Sequence, residues 1–505
     1  MLRDNKVFVP ANIITVVLAV LLLIVLVLPI GVADNGDFDR VRSVANLEVQ
    51  TNGTEPYFDY VHTRYTILGW KADTSIAAPA NQSDTEIQEG PSPGIYITSH
   101  MLPVLLTVAI SSLFGNVFDI RLLAALYSLL FLCGIHLLLS GITERFGTRC
   151  GWIAGILSVI IFGDLGYLAY FNSLYGEAAS YTFLILAAGG FVNLFCSKKR
   201  KISVLILTIL AAAMFVGSKQ QNSISIVFLL ALCVGLFFWF RDRIWRILTV
   251  TLSFTMVLSA MMTSIFVSEE IYQINIHQAV FIGLLDVSPD PASDLKALGL
   301  PEEMLALKGI TYYETQTPYP PNSSYMQREF FDKISYGDII RVYLTRPDRL
   351  WYAMMRTAEA AYKNLPEYLS NFTYAFSPQP QTSAHSYALY EQLREKLSLV
   401  PNPLVLTILI FAGLLVLWLW LFRKSRDKGD RMLLWFLAAM ACIGVLQFGI
   451  PYIADGMGDI VKHLFLYNVA FDGLVFAVLT LFFTTLSGLI KKRIHQAQHR
   501  KRILP

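Results

Sequence analysis

Three carboxylates and an arginine stand together in Ala33-Asp34-Asn35-Gly36-Asp37-Phe38-Asp39-Arg40. They follow directly on the apolar run Ile13–Val32. Charge at a lipid boundary is costly unless it has a partner or a task. A carboxylate there can orient or deprotonate a hydroxyl. Arg40, three residues after Asp37, can hold that carboxylate ionised or meet an anion. Asn-Gly-Asp is also good turn chemistry, so the stretch has a purely structural reading too.

Other polar residues interrupt the apolar runs. They are Asp164; Asn172, Tyr175 and Glu177 in Tyr170-Phe-Asn-Ser-Leu-Tyr-Gly-Glu177; Lys219; and Asp455, Asp459, Lys462 and His463. Asn468 and Asp472 follow at a four-residue spacing that puts both on one helix face. Structural roles compete at each position. Glu177 can favour a helix N-terminus, Lys219 can snorkel, and Asp472 inside a span needs a partner or a polar cavity. Taken together, the set suits transfer of a sugar from a lipid phosphate. A carboxylate handles the acceptor hydroxyl, and cations take the charge growing on the phosphate. No Gly-rich phosphate loop and no Ser-His-Asp spacing is visible.

Long apolar elements must position these residues. Of the 505 residues 55% are hydrophobic and 15% charged, against about 25% charged in soluble proteins. Mean hydropathy is +0.52. About ten runs approach the length that crosses a hydrocarbon core: Ile13–Val32, Ile120–Leu139, Trp152–Leu168, Ala178–Phe195, Ile202–Gly217, Ile224–Phe240, Ile247–Phe266, Leu404–Phe422, Met432–Ile450 and His463–Leu489. The first run reads as a retained signal anchor, too long for the apolar stretch of a cleaved signal. Threading the runs brings Arg145/Arg149, Lys198–Lys201, Arg241–Arg246, Arg423–Arg431 and Lys491–Arg502 to one side. Positive charge marks that side as cytoplasmic, with both termini there and every candidate residue outside. Ile95–Phe114 would invert the pattern as a span, so it reads as an outer interfacial helix broken at Gly115-Asn116. An amphipathic helix is expected over Tyr336–Tyr352.

The five cysteines show neither a disulfide framework nor zinc spacing, so no metal site is read from them. The net charge of +3 is small, and nothing suggests nucleic acid, because the basic residues lie in short clusters between apolar runs rather than on an aromatic-rich face. Asn-x-Ser/Thr triplets begin at Asn52, Asn81, Asn322 and Asn371, all in outer loops.

The order of these motifs resembles the GT-C superfamily of membrane glycosyltransferases, and within it the aminoarabinose and protein-mannosyl transferase branch. Asp37-Phe-Asp-Arg40 is similar to that branch's Asp-x-x-Arg after the first helix. Pro93-Gly-Ile-Tyr, Phe114-Gly115 and Arg121 are similar to its interfacial helix and the arginine opening the second helix. Glu177 stands where a second acidic loop falls, and Lys219 where a lysine follows the fifth helix. Asn-Gly-Asp-Phe and Asn-Ser-x-Tyr-x-Glu also resemble bacterial hexose transferases of surface or S-layer glycan assembly. The resemblance covers roughly the first 225 residues. Gly90-Pro-Ser-Pro93 replaces the family's Lys-Pro-Pro, and Glu replaces the second Asp.

The expectation is an all-α polytopic membrane protein of GT-C type. It comprises a transmembrane module over 1–266 with its acidic loop at 33–95, an extracytoplasmic loop domain over 267–402, and transmembrane helices with a basic tail over 403–505. What the resemblance implies is a glycosyltransferase in a bacterial cytoplasmic membrane. A sugar, a hexose by analogy, would pass from a polyprenyl-phosphate donor to a glycan or lipid-linked glycan acceptor. Asp37 and Glu177 are the expected catalytic carboxylates, with Glu177 and Asp164 on the sugar side. Arg40, Lys219, Lys462 and His463 are expected at the phosphate, with Asn172 and Tyr175 beside them. A divalent cation between Asp37 and Glu177 is an open alternative, since hard cations favour carboxylate oxygen. The rival functions are a lipid-linked-sugar flippase or transporter and a glycan polymerase or ligase.

Overall fold

A computed structural model describes residues 9–50, 57–61, 63–68, 97–314, 316–373 and 384–503, with side chains omitted at 384 and from 493 onward. Asn52, Asn81 and Gly90-Pro-Ser-Pro93 lie outside the described residues.

The protein is an integral membrane protein built on apolar helices. Among the described residues eight are long and apolar enough to cross a bilayer. In chain order the main helices are α1 (Val9–Val27), α2 (Phe38–Ala45), α3 (Met101–Ser112), α4 (Ile120–Phe146), α5 (Thr148–Phe162), α6 (Gly176–Cys196), α7 (Ile202–Val216), α8 (Ile226–Trp239) and α9 (Arg243–Ile265). The second half adds α10 (Glu269–Ala279), α11 (Pro291–Leu298), α12 (Tyr336–Thr345), α13 (Pro347–Ala360), α14 (Leu389–Glu395), α15 (Pro403–Lys424), α16 (Lys428–Asp455), α17 (Ile460–His463) and α18 (Phe465–Ile503).

Two of the ten expected spans depart from a simple rod. The third is broken: α5 and the segment Leu165–Asn172 meet at 56°. The fifth, α7, has only 15 residues, about 22 Å of rise against a core of about 30 Å. At 12 residues α3 is shorter still. The helix expected over Tyr336–Tyr352 is two helices. Pro347 disfavours a helical residue before it, and the chain breaks at Arg346.

At the centre is α6, whose apolar window is 89% buried. It lies so close to α4 that a Cβ on Gly189 would fall 2.0 Å from the Gly134 carbonyl oxygen. Small residues permit such backbone approach between membrane helices. The central helix therefore fixes Glu177 in its first turn.

A three-stranded antiparallel sheet, β1 (Leu47–Val49), β2 (Arg64–Ile67) and β3 (Val117–Asp119), ties the first loop to the start of α4. Leu47 pairs with Ile67, and Arg64 pairs with Asp119. The 267–402 segment forms a second core with Leu404, Phe448, Tyr452, Leu464 and Tyr467 of the C-terminal helices. It is thus packed directly onto them.

The basic loops meet at the opposite end of the bundle from Asp37. Arg145 at the end of α4 pairs with Asp427 and Asp430 at the start of α16, the first at 2.7 Å. The Lys198 N–H donates to Glu144 at 2.8 Å.

Candidate active site

The chain leaves α1 through a clamp. The Asn172 amide donates to the carbonyls of Val25 at 3.0 Å and Ile30 at 2.9 Å. Gly31 and Ala33 then donate their N–H groups to the carbonyls of Asn371 and Ser370, both at 3.0 Å. Asn172 thus acts on the backbone that carries Asp37. Asn371 is fully buried, which removes that triplet as a glycan acceptor in the folded protein; Asn322 is exposed.

Next comes a tight turn. An Asp34 carboxylate oxygen accepts from the N–H groups of Gly36 at 2.7 Å and Phe38 at 3.1 Å. Gly36 takes a φ of +101° that a side chain would disfavour. Burial pushes the Asp34 carboxyl up to about 6, with those backbone donors and Arg42 opposing. Asp34 is accordingly occupied in shaping the turn.

Asp37 enters α2 with its side chain one-third exposed. It pairs with Arg40 three residues on. It also accepts from the Lys462 ammonium at 2.5 Å. Burial alone would raise its carboxyl, but the Lys462 and Arg40 charges hold it well below the ordinary carboxylate range. Lys219 adds to the same field. Asp39 faces away and pairs with Arg42 and the Tyr57 hydroxyl.

Lys462 is buried, and its ammonium also reaches Asp459 at 2.7 Å. It lies 5.0 Å from the centre of the Tyr175 ring, a cation–π distance. Burial lowers the ammonium's affinity for its proton. The Asp37 and Asp459 charges outweigh this and raise its pKa well above the ordinary value. Asp459 itself sits at a φ of +45°, a conformation Asp tolerates better than most residues. Asn35 completes the ring, donating to Asp459 at 2.5 Å. The Tyr175 hydroxyl lies 2.7 Å from the Ala33 carbonyl oxygen and 3.0 Å from Asn35 Oδ1.

Beside this ring Lys219 pairs with Glu177 at 2.5 Å. A Cβ on Gly176 would meet the Lys219 stem at 2.9 Å, so the glycine makes room for the lysine to cross the start of α6. Gln221 donates to the His463 carbonyl oxygen at 3.1 Å, and Gln447 donates back to the Gln221 carbonyl oxygen at 2.8 Å. His463 pairs with Asp455 at 3.1 Å. Burial, with Lys219 and Lys462 nearby, lowers its pKa well below the ordinary value.

Asp37, Arg40, Tyr175, Glu177, Lys219, Lys462 and His463 are thus brought to one place. Asp164 is not. It caps the segment after α5 through Gly166 at 3.0 Å and accepts the Tyr390 N–H at 2.9 Å. It belongs to a second buried cluster, where Asp472 pairs with Arg394 and accepts from the Tyr390 hydroxyl at 2.7 Å. Arg394 also donates to the Tyr167 hydroxyl at 2.8 Å and the Tyr362 carbonyl at 3.0 Å. Glu391 accepts from the Leu365 N–H at 3.0 Å. Tyr170 stands between the two clusters, its hydroxyl bonded to the Asn364 carbonyl at 2.8 Å. The charges of Glu177, Lys462 and Glu391 all act on it.

Among the described residues no three or more His, Cys, Asp or Glu side chains gather as a metal-holding set. Asp37 and Glu177 each face an ammonium.

Residues 2–502 match the family model described as the YfdI N-terminal transmembrane domain. No curated protein and no solved structure matches the chain.

Proposed function

The chain belongs to the YfdI N-terminal transmembrane domain family, and we propose that it works as a GT-C membrane glycosyltransferase. Membership supports a membrane glycosyltransferase at the level of class. Donor, acceptor and residue roles are our reading. The donor is a polyprenyl-phosphate hexose, and the acceptor is a hydroxyl of a cell-surface glycan. The observation that carries this is the Asp37 carboxylate held by Lys462 and Arg40, with the Lys219–Glu177 pair beside it.

In the reaction the acceptor oxygen bonds to the anomeric carbon. The bond from that carbon to the phosphate oxygen breaks, and its electron pair leaves with the phosphate. Lys462, Arg40 and Lys219 are the cations at hand for that charge. As the structure stands Asp37 is a weak base, because two cations stabilise its ionised form. A donor phosphate that draws Lys462 and Arg40 toward itself leaves Asp37 more basic. Donor binding would thus prepare the carboxylate to orient the acceptor hydroxyl and take its proton. Glu177 holds Lys219 in place and faces the sugar side.

The basic clusters at the far end of the bundle argue that the site opens on the outer face of a bacterial cytoplasmic membrane. The test is hexose transfer from synthetic polyprenyl-phosphate hexoses by purified protein. Failure of the wild type with every such donor, where a nucleotide sugar serves instead, overturns the reading.

A further inference from the structure

The short helix α14 is inside out. Two of its three charged residues, Glu391 and Arg394, are 1% and 3% exposed, and the third, Glu395, is half-buried, while Leu389 and Leu393 are 74% and 62% exposed. The next turn leaves Leu399 76% exposed. In water this arrangement is backwards. It leaves three leucines in solvent and places two charges in a medium where each costs several kcal/mol, on the order of magnitude set by desolvation.

The buried side of the helix is well made. Arg394 pairs with Asp472 of α18, and Glu391 accepts the Asn364 and Leu365 N–H groups. The Tyr390 hydroxyl bonds Asp472, and its N–H bonds Asp164 at the break after α5. These contacts attach α14 to two membrane-spanning elements and fix which way the leucines point. Four residues past Leu399 the chain enters α15, whose Leu409 and Ile408 are exposed in the same fashion as a lipid-facing span.

We infer that the Leu389, Leu393 and Leu399 face of α14 is seated in the bilayer, covered by phospholipid acyl chains. The occupant follows from continuity: the apolar surface runs on into a helix of spanning length and composition. Lys396 is exposed on the same turn, and its long stem lets the ammonium reach the headgroups. The helix therefore lies at the interface rather than at the core centre. Segment 267–402 is accordingly anchored in lipid as well as packed on protein.

The test uses the full chain in phospholipid vesicles with Cys442, the exposed cysteine, replaced by Ser. Spin labels are placed at Leu389→Cys, Leu393→Cys, the lipid-facing control Leu409→Cys and the polar-loop control Glu302→Cys. Collision with oxygen and with a water-soluble nickel chelate is then measured. The proposal expects sites 389 and 393 to lose nickel accessibility and gain oxygen accessibility, to the level of site 409. Nickel accessibility equal to that at 302 places the face in water and overturns it. Protection from both reagents means that protein covers the face and also overturns it. A wild-type circular dichroism spectrum and hexose transfer by the labelled variants show that the fold under test is intact.

Discussion

Asp37 and Lys462 are 425 positions apart in the chain, and their charged atoms lie 2.5 Å apart. That contact joins the turn after the first helix to the turn before the last. It makes the site a property of the closed bundle rather than of any local motif. Lys462 is also the cation that most strongly holds Asp37 ionised.

Removing this cation should therefore change the pH profile. The folded Asp37 carboxyl lies below its unfolded value, so its ionised form persists well below the usual carboxylate range, while the stability it contributes is full above the unfolded value of about 4 and is lost as pH falls from there through the folded value. Lys462→Met should move the acid limb of kcat/KM upward, toward or above the ordinary aspartate value of about 4. The measurement is the pH dependence of transfer by both proteins. An unshifted limb would separate Asp37 ionisation from catalysis.

The Lys219–Glu177 pair makes a second prediction. Positive charge at a phosphate is the proposed role, so Lys219→Arg should retain more donor use than Lys219→Ala. The expected loss in the alanine variant is about tenfold or more, the order of one charge-assisted hydrogen bond. Initial rates against donor concentration decide it. Equal, near-wild-type activity in both would leave Lys219 as an anchor.

Much of this site could be read from residue type and sidedness. An ionisable group at a lipid boundary is expensive, so residue type and place alone single out Asp37, Lys219, Glu177 and Lys462. Their pairing could not be read, because it depends on which helix ends close on one another. Asn35 passed unnoticed because an Asn before Gly reads as turn chemistry; its contact with Asp459 is tertiary. By type and place Asp164 reads as a third carboxylate of the site beside Asp37 and Glu177. The bend after α5 turns it instead toward Tyr390. The burial of Glu391 and Arg394 has no signal in the sequence, since nothing local says that a helix faces inward with its charges. The apolar spans were legible from length alone. The break at Pro347 was in the sequence but yielded to the amphipathic period that ran across it.

The Arg394–Asp472 pair, buried at both ends, should behave as an all-or-none contact. Arg394→Leu strands the Asp472 carboxylate and should cost about 3–5 kcal/mol. Replacing both residues with leucine should recover a substantial part of that loss. Thermal unfolding in detergent reads both. Equal stability of Arg394→Leu and wild type would show that Asp472 is neutralised some other way.

Sidedness is open to direct test. Reporter fusions at Arg145 and Lys428 should give cytoplasmic signal, and fusions within the Ser268–Asn402 loop should give external signal. The reverse pattern would turn the site toward the cytoplasm and remove the case for a polyprenyl-phosphate donor.

The central claim rests on Asp37, and the most direct measurement is sugar transfer by Asp37→Asn beside Asp39→Asn. Asparagine keeps the shape and removes the charge. Asp39 is the control because it faces away and pairs with Arg42. Transfer by Asp37→Asn should fall about 10²- to 10⁴-fold, with normal abundance and membrane insertion. Asp39→Asn should transfer at a near-wild-type rate. Wild-type transfer by Asp37→Asn would contradict the role given to Asp37.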